Sequence, residues 1–347
     1  MTVDRSASPP GDAGHEAPFA PGDGTAANAG TVNPYLFVVG AARSGTTLLQ
    51  RMLDAHPQLA VVNETYWLPR KFREQGGLTR AGLVTPALLP KLLASPKFSR
   101  IGMSEEDLLG LCSNSAPVRY EQFVARIFDL YAARRGKQFA GDKTPGYVRK
   151  IGQIHSLWPR ARFVHIIRDP RDLCLSMVEW HSGQQTAGQF GTWEMDPVIS
   201  TALYWKYSVS AGREAGESVG RSLYREVRYE DQVSSPEREL EQTCRFLGLP
   251  YAEEMVRFHE GRTRREPGRS SKAQWLPPTV GLRDWRTQMP ASDVERIEAT
   301  AGGLLRDLGY ATRFDHFQPA TRRRVAEVRE TFTRHLLAGG RALPRDW

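Results

Sequence analysis

The clearest candidate for chemistry is a glycine-containing loop near the start of the chain. The stretch VVGAARSGTTLLQRML, residues 38–53, has G-x-x-x-x-G spacing from Gly40 to Gly45, as in phosphate-binding P-loops. Backbone N–H groups at the N-terminus of the following helix would bind phosphate or sulfate oxygens. The side chains predicted to assist, together with the backbone of Gly45, are Arg43, Ser44, Thr46 and Thr47.

The loop departs from the pattern of ATP- and GTP-binding proteins at one position. Those loops continue with Lys and then Ser or Thr, whereas Gly45 is followed by Thr46. The missing lysine neutralises the β- and γ-phosphates beside Mg²⁺, so the sequence disfavours a Mg-nucleoside triphosphate. Three alternatives stay open from the loop alone: a kinase or NTPase with an aberrant loop, a non-catalytic nucleotide-binding protein, and a tight turn without a ligand.

A second candidate segment is IIRDPRDLCLSM, in which Arg168 ends a predicted strand and Ser176 follows about two helical turns later. An arginine at the carboxyl end of a strand faces the crevice where α/β sheets bind ligands. Taken alone, the segment fits a structural role better. In that interpretation Arg168 pairs with Asp169 or Asp172, and the serine bonds within its own helix.

The elements that must position these residues alternate between strands and helices. Apolar runs predict buried strands at residues 35–39, 59–62 and 162–168, and a further strand is predicted at 222–231. Helical periodicity follows the loop and the proline at position 170, and recurs in further segments: 120–134, 147–157, 198–215, 236–247 and 292–308. The alternation predicts an α/β fold of the P-loop type, with three layers and a central, mostly parallel sheet flanked by helices.

Composition limits the partners and the compartment. The chain has 347 residues, a net charge of +8 and three widely spaced cysteines, which predicts reduced thiols in a cytoplasmic protein without a metal site. No apolar run reaches the roughly 20 residues of a membrane span, and no secretory signal is evident. We expect a disordered arm at residues 1–33, a domain at 34–315 and a basic helical extension at 316–347, with no nucleic-acid partner.

The two phosphate segments together resemble signatures of the sulfotransferases that use 3′-phosphoadenosine 5′-phosphosulfate (PAPS). Three further motifs follow the family order: GDKTP at 141–145, VRYEDQVSSPERELEQTCRFLGLP at 227–250 and VGLRDW at 280–285. The resemblance therefore covers about residues 35–310. The stretches RSGTTLLQRMLDAHPQ, NET and LGY are most similar to the tyrosylprotein sulfotransferases and their bacterial relatives.

The resemblance implies a role for each motif. The loop, with Arg43, Ser44, Gly45, Thr46 and Thr47, would hold the 5′-phosphosulfate of PAPS. The second segment, with Arg168 and Ser176, would hold the 3′-phosphate, which ATP lacks. Transfer would be in-line, leaving PAP, with Arg43 and Lys143 neutralising the bridging oxygen and the sulfuryl group. Sulfuryl transfer carries less charge than phosphoryl transfer, so no metal is expected. Without the resemblance, Lys143 would be interpreted as a surface lysine in a turn.

An acceptor hydroxyl must lose a proton, so a general base is expected. Glu64 in VVNETYWLPR is the prediction, because it follows an apolar run, at a strand end expected beside the P-loop, and resembles the glutamate base of tyrosylprotein sulfotransferases. The alternatives are a loop glutamate paired with a nearby arginine, and His181 as base, while His165 is interpreted as structural. Tyr66 stands where those enzymes carry an arginine for acidic peptide. The acceptor therefore stays open among phenols, tyrosyl peptides, carbohydrates, lipids and natural products.

Two segments near the C-terminus complete the predictions. Residues 262–286 are rich in Pro and Arg and predict a long functional loop. By the resemblance this loop folds over the nucleotide, with Ser271 and Lys272 as contacts, while Trp285 anchors the core. The extension at 316–347 has apolar residues at helical spacing, which predicts a basic amphipathic helix docked on the domain with its arginines in solvent.

Overall fold

The central element is a five-stranded sheet with strand order β2-β3-β1-β4-β5, in which every neighbouring pair is parallel. The strands are β1 Leu36–Val39, β2 Leu59–Asn63, β3 Phe139–Lys143, β4 Arg162–Ile167 and β5 Tyr224–Arg228. The computed structural model describes residues 32–68, 72, 74, 76–112, 117–260 and 276–347. The predicted α/β fold with a parallel sheet is confirmed.

Helices connect the strands and cover both faces of the sheet. The described helices are α1 Thr46–Asp54, α2 Leu88–Leu93, α3 Glu105–Cys112, α4 Tyr120–Ala133, α5 Ile151–Leu157, α6 Pro170–Val178, α7 Gly183–Ala187, α8 Pro197–Val219, α9 Tyr229–Ser234, α10 Pro236–Leu247, α11 Trp285–Gln288, α12 Ala291–Asp307 and α13 Pro319–Ala338. Short 3₁₀ helices span Phe98–Ile101, Pro145–Lys150, Gly188–Phe190 and Glu253–Met255. None of the helices in the described part of the chain is long and apolar enough to cross a membrane.

Strand β1 shows why the core has two layers. Successive side chains of a strand point to opposite faces, and Leu36 and Val38 pack in one apolar cluster whereas Phe37 and Val39 pack in another. All four are fully buried. The continuous apolar run that predicted this strand is thus explained by burial on both faces, as is usual for parallel sheets.

One strand was missed, and two local predictions were wrong in detail. Strand β3 was not predicted, because FAGDK contains residue types that strands usually lack; pairing with β1 and β2 on its two sides stabilises it instead. The strand predicted to run to residue 231 ends at Arg228, where α9 begins. The helix predicted at 147–157 is divided into a 3₁₀ helix, Pro145–Lys150, and α5.

The C-terminal helix α13 belongs to the same core as the sheet-flanking helices. Its apolar residues are buried in one cluster with residues of α6, α8 and α12; they are Val325, Val328, Phe332 and Leu336. The ring of Phe332 lies 4.3 Å from that of Phe190. The predicted docked helix is confirmed, whereas the predicted division of the chain at residues 33 and 315 stays a prediction. Most of the predicted N-terminal arm, residues 1–31, lies outside the described residues.

Replacing Phe332 with alanine should test the contribution of α13 to stability. Deleting a buried phenylalanine costs about 3–5 kcal/mol because it removes apolar contacts and leaves a cavity. Denaturant unfolding of Phe332→Ala should show that loss. The control is Leu337→Ala on the same helix, where 57% of the side chain is exposed, and its stability should change by no more than about 0.5 kcal/mol. Equal stability of the two variants would contradict a shared core.

Candidate active site

The parallel sheet brings the predicted site residues to one edge. Glu64 follows β2, Lys143 ends β3, the P-loop follows β1 and Arg168 follows β4, so four adjacent strands supply the site in spatial order. The register aligns Asn63 and Val38 with Lys143 from either side. Glu64 does lie at a strand end, as predicted, but β3 separates β2 from the P-loop strand. Ligands of open α/β sheets bind at this edge.

The P-loop has a strained backbone that aims donors into a concavity. Arg43 and Gly45 have φ values of 74° and 94°, in the left-handed region. A Cβ on Gly45 would lie 2.4 Å from a ring carbon of Tyr229, so only glycine fits there. Helix α1 begins at Thr46, whose N–H is among those that a helix leaves without an internal partner. Ser44 is fully buried, and its Oγ has no hydrogen-bond partner among the described residues.

The two predicted phosphate-binding segments are in direct contact. Arg43 Nε donates to Ser176 Oγ at 2.9 Å, and Arg168 Nη1 lies 3.4 Å from the carbonyl oxygen of Arg43. The Arg168 guanidinium also stacks over Tyr229, 4.2 Å from the ring centroid. The alternative in which Ser176 bonds only within its own helix therefore does not hold, since its hydroxyl accepts from the loop arginine.

A buried ion-pair network engages the acid that follows Arg168. Arg171 binds Asp169 at 2.7 Å and Glu298 at 2.6 Å, with all three side chains largely buried. Its guanidinium stacks on Trp285 at 3.8 Å, and Trp285 is 7% exposed, as predicted for a core anchor. The alternative in which Arg168 pairs with Asp169 or Asp172 is not observed among the described residues, because Asp169 is bound by Arg171 and Asp172 accepts a hydrogen bond from Trp285 N at 2.8 Å.

The P-loop end of the site is strongly electropositive. Burial lowers the pKa of Arg43, and the positive charges of Arg168 and Arg283 lower it further. No acidic side chain counteracts this shift among the described residues. Arg283 itself contacts Glu179 Oε1 at 3.1 Å. Sequence reasoning assigned no role to Arg283, although the motif VGLRDW that contains it was recognised.

The other end of the site holds a compensated pair of charges. Lys143 Nζ donates to Glu64 Oε1 at 3.0 Å and to Thr47 Oγ1 at 3.1 Å. Lys143 is buried, not a surface lysine; burial lowers its pKa, and Glu64 opposes that effect. Burial raises the pKa of Glu64, but Lys143, Lys97 and Arg100 outweigh it, so the net pKa is lowered. Glu64 is therefore ionised at neutral pH.

Glu64 is held in place by an unusual turn. Glu64 and Tyr66 both have left-handed backbone, with φ values of 58° and 55°. Between them, Thr65 donates its N–H to Asp142 Oδ2 at 3.2 Å, and its hydroxyl lies 2.9 Å from the Tyr147 hydroxyl. Asp142 is fully buried, and burial raises its pKa to about 7. These contacts orient the turn, and the spacing of the residues in the sequence contains no signal for them.

The remaining predicted residues are two histidines and two residues of the long loop. His165 is fully buried beside the Tyr224 hydroxyl at 2.6 Å, and burial lowers its pKa to about 3, so it is neutral and structural. His181 is exposed just beyond α6. Ser271 and Lys272 lie outside the described residues. The described part of the chain contains no group of three or more His, Cys, Asp or Glu side chains that could hold a metal ion.

Comparison with known proteins gives consistent matches. The model of the "Sulfotransferase family" matches residues 34–253. A protein-tyrosine sulfotransferase of Drosophila melanogaster is 27% identical over 286 residues, which cover 80% of this chain and 52% of that protein. This chain thus spans about half the length of that relative.

Two solved structures share the fold. The sulfotransferase domain of the Synechococcus PCC 7002 olefin synthase matches with a TM-score of 0.52 and 24% identity, over 80% of this chain and 94% of that one. The sulfotransferase domain from the curacin biosynthetic pathway matches with a TM-score of 0.50 and 18% identity, over 89% and 98%.

The buried carboxyl of Asp142 predicts a pH-dependent stability. Its pKa is about 7 in the folded protein, against 3.8 for an unperturbed aspartate, so the folded state binds the proton more tightly and stability falls as pH rises from about 4 to 7. Asp142→Asn removes this titration and keeps an oxygen for the Thr65 N–H. In denaturant unfolding, the free energy of unfolding of the variant minus that of the wild type should rise by up to about 1.4 kcal/mol per pH unit across that window. A stability difference that does not change with pH would contradict the assignment.

Proposed function

Because the chain belongs to the Sulfotransferase family, we propose that it transfers a sulfuryl group from PAPS to an acceptor hydroxyl or amine. The observation that carries the proposal is the contact of two arginines, Arg43 and Arg168, neither of which has an ion pair with an acidic side chain among the described residues. The buried Ser44 Oγ and the Nε atom of Arg168 itself also lack hydrogen-bond partners within the described part of the chain. Buried polar groups and cations without partners are costly, so this arrangement favours a bound anion.

In this proposal the two half-sites bind the two charged ends of one nucleotide. Arg43, with the loop N–H groups and hydroxyls, takes the 5′-phosphosulfate, and Arg168 with Ser176 takes the 3′-phosphate. The 2.9 Å contact between Arg43 and Ser176 supports this division, because it places the half-sites side by side. We add Arg283 as a third cation near Arg43. The predicted contacts of Ser271 and Lys272 with the nucleotide stay predictions.

The reaction proposed is an in-line displacement at sulfur. The acceptor oxygen forms a bond to sulfur while the bond from sulfur to the bridging oxygen breaks, and its electron pair leaves on PAP. An ammonium group has three N–H donors, and Lys143 uses two of them on Glu64 and Thr47. The third would remain for the bridging oxygen, where negative charge develops.

Glu64 is proposed as the general base that accepts the acceptor's proton. Its ionised state at neutral pH supports this role, since a base must be unprotonated before the reaction. Its side chain is 27% exposed, whereas that of Lys143 is 1% exposed. Glu64 can therefore be reached by an acceptor while Lys143 is confined behind it. His181, the sequence-based alternative, has no described contact with Lys143 or Arg43.

The compartment is part of the same proposal. Cys112, Cys174 and Cys244 are all free thiols, which is consistent with a reducing cytoplasm. A kinase or NTPase with an aberrant loop is the competing function, and it differs in the nucleotide that it would bind.

Binding of PAP against ADP tests the nucleotide assignment. With EDTA present, isothermal titration calorimetry should show PAP binding at least about tenfold more tightly than ADP, because only PAP offers a 3′-phosphate to Arg168 and Ser176. Tighter binding of ADP, or a requirement for Mg²⁺, would favour the kinase alternative and overturn the proposal.

Two substitutions separate binding from transfer. Arg168→Ala should weaken PAP binding by about tenfold or more, since a charge-assisted contact is lost. Glu64→Gln should leave PAP affinity unchanged and lower the rate of sulfuryl transfer from labelled PAPS by a factor of about 100 or more. Arg257→Ala, on an exposed arginine paired with Glu253, is the control for charge removal. Equal loss of PAP affinity in both site variants would refute the division of roles.

A further inference from the structure

Beside the turn that holds Glu64, the Arg149 guanidinium lies among three tyrosine side chains, Tyr66, Tyr204 and Tyr207. A Cβ placed on Gly146 would lie 3.8 Å from both Arg149 Nη2 and Tyr66 Cε1. Glycine at this position therefore leaves a gap between a guanidinium and an aromatic ring. The Arg149 guanidinium also lies 5.5 Å from the ring centroid of Tyr204 and 6.0 Å from that of Tyr207.

Two features connect these side chains to the reaction site. Tyr66 is part of the left-handed turn that begins at Glu64. Burial raises the pKa of its hydroxyl, Glu64 raises it further and Arg149 lowers it. On the other side of Arg149, the Tyr204 hydroxyl accepts a hydrogen bond from Ala42 N in the P-loop at 2.9 Å. An acceptor that reaches Glu64 would therefore extend toward Arg149.

Within the described residues, the Arg149 guanidinium uses only part of its hydrogen-bond donors. One of its nitrogens donates to the buried Ser208 hydroxyl at 3.0 Å, and its guanidinium lies over the rings of Tyr204 and Tyr207. Within the described residues it forms no ion pair with an acidic side chain. A guanidinium carries five N–H donors in a planar fork that matches a carboxylate or phosphate.

A second arginine approaches Arg149 from the C-terminal segment. Helix α13 is closed by Gly340, at φ 63°, with hydrogen bonds from Gly340 N to Leu337 O and from Arg341 N to Leu336 O. This glycine-based cap fixes the position of Arg341 directly after the helix. The Arg341 guanidinium lies 4.9 Å from the ring centroid of Phe190, and that ring packs edge-on against Tyr207, which Arg149 also approaches, with 6.0 Å between the ring centroids. Burial lowers the pKa of Arg341, and the positive charge of Arg149 lowers it further.

We propose that Arg149 and Arg341 form an anion-binding subsite for the acceptor. The acceptor would then carry a carboxylate, phosphate or sulfate group in addition to the hydroxyl or amine that receives the sulfuryl group. This inference rests on the proposed function, because it concerns the acceptor of the same reaction. Among the described residues, neither arginine forms an ion pair with an acidic side chain, so their repulsion destabilises the free protein and a bound anion would remove it.

The subsite also gives the C-terminal helix a role in specificity. Arg341 lies beyond residues 34–253, the part matched by the family model, and is delivered by a helix that shares the core of the domain. A purely structural role for Arg149, packing on Tyr204 and Tyr207 and holding Ser208, is the competing explanation. The two explanations differ in whether the charge of the acceptor matters.

A matched pair of phenols tests the proposal. The probes are 4-hydroxyphenylacetate, which is anionic, and 4-hydroxyphenylacetamide, which is neutral and has almost the same shape. Each is titrated into the full chain saturated with PAP, so that Arg43 and Arg168 are already occupied. The anionic compound should bind at least about tenfold more tightly, as expected for charge-assisted hydrogen bonds.

Variants then assign that preference to the two arginines. Arg149→Gln and Arg341→Gln should each reduce affinity for the anionic compound to near that of the neutral one, without changing affinity for the neutral compound or for PAP. Arg149→Lys, which keeps the charge, should retain part of the preference. Arg334→Gln, on an arginine of α13 that is 67% exposed, should behave as the wild type.

Three outcomes would overturn the subsite: no preference for the anion in the wild type, equal weakening of both compounds in Arg149→Gln, or binding of neither compound. Affinity for PAP is measured on the same samples. If PAP binds and the anion is not preferred, the acceptor subsite alone is lost. If PAP does not bind, the proposed function fails with it.

Discussion

The structure of the site depends on holding arginines close together against their mutual repulsion. Arg43 and Arg168 touch, and Arg283 lies near enough to lower the pKa of Arg43. Among the described residues, Arg43 and Arg168 are held by neutral or aromatic neighbours, Ser176 and Tyr229, whereas Arg283 pairs with Glu179. Asp169 is engaged by Arg171. This keeps positive charge concentrated at the carboxyl edge of the sheet, where it would attract an anionic ligand.

At the other end of the candidate site, the buried positive charge is paired with an acidic side chain. There the buried Lys143 is paired with Glu64, and Lys97 and Arg100 add further positive charge around that carboxylate. Burying a lysine without a partner would be costly, so the glutamate stabilises it while staying ionised itself. One edge therefore combines a cluster of arginines that has little acidic compensation with a compensated lysine–glutamate pair, and the P-loop residue Thr47 accepts a hydrogen bond from that lysine.

The distances between the site residues are fixed by elements that pack together. Rigid parallel strands carry most of the charged groups, and the Arg171 network locks the start of α6 against α12 through Glu298. Helix α13 packs in the same apolar cluster as α6, α8 and α12, and Arg341 follows its C-terminal end. The geometry of the candidate site therefore depends on the packing of helices that are distant in sequence.

Sequence alone determined the fold class and most of the candidate nucleotide-binding residues, because these depend on local patterns. Apolar periodicity identified β1, β4 and the main helices, and the loop and Arg168 motifs identified the residues that contact each other. It missed β3, whose strand is stabilised by its neighbours rather than by its own residues. Consequently Lys143 could be placed only by resemblance, and its burial against Glu64 could not be foreseen.

Tertiary structure decided every relation between distant segments. Only the assembled structure shows that Arg171 binds Asp169, that Asp142 accepts a hydrogen bond from the turn after Glu64, and that Arg149 and Arg341 approach the adjoining rings of Tyr207 and Phe190. These contacts join residues separated by many positions in the chain, and no local pattern encodes them. Charge and burial in the site are properties of that assembly, since each pKa depends on the neighbours that folding brings within a few ångströms.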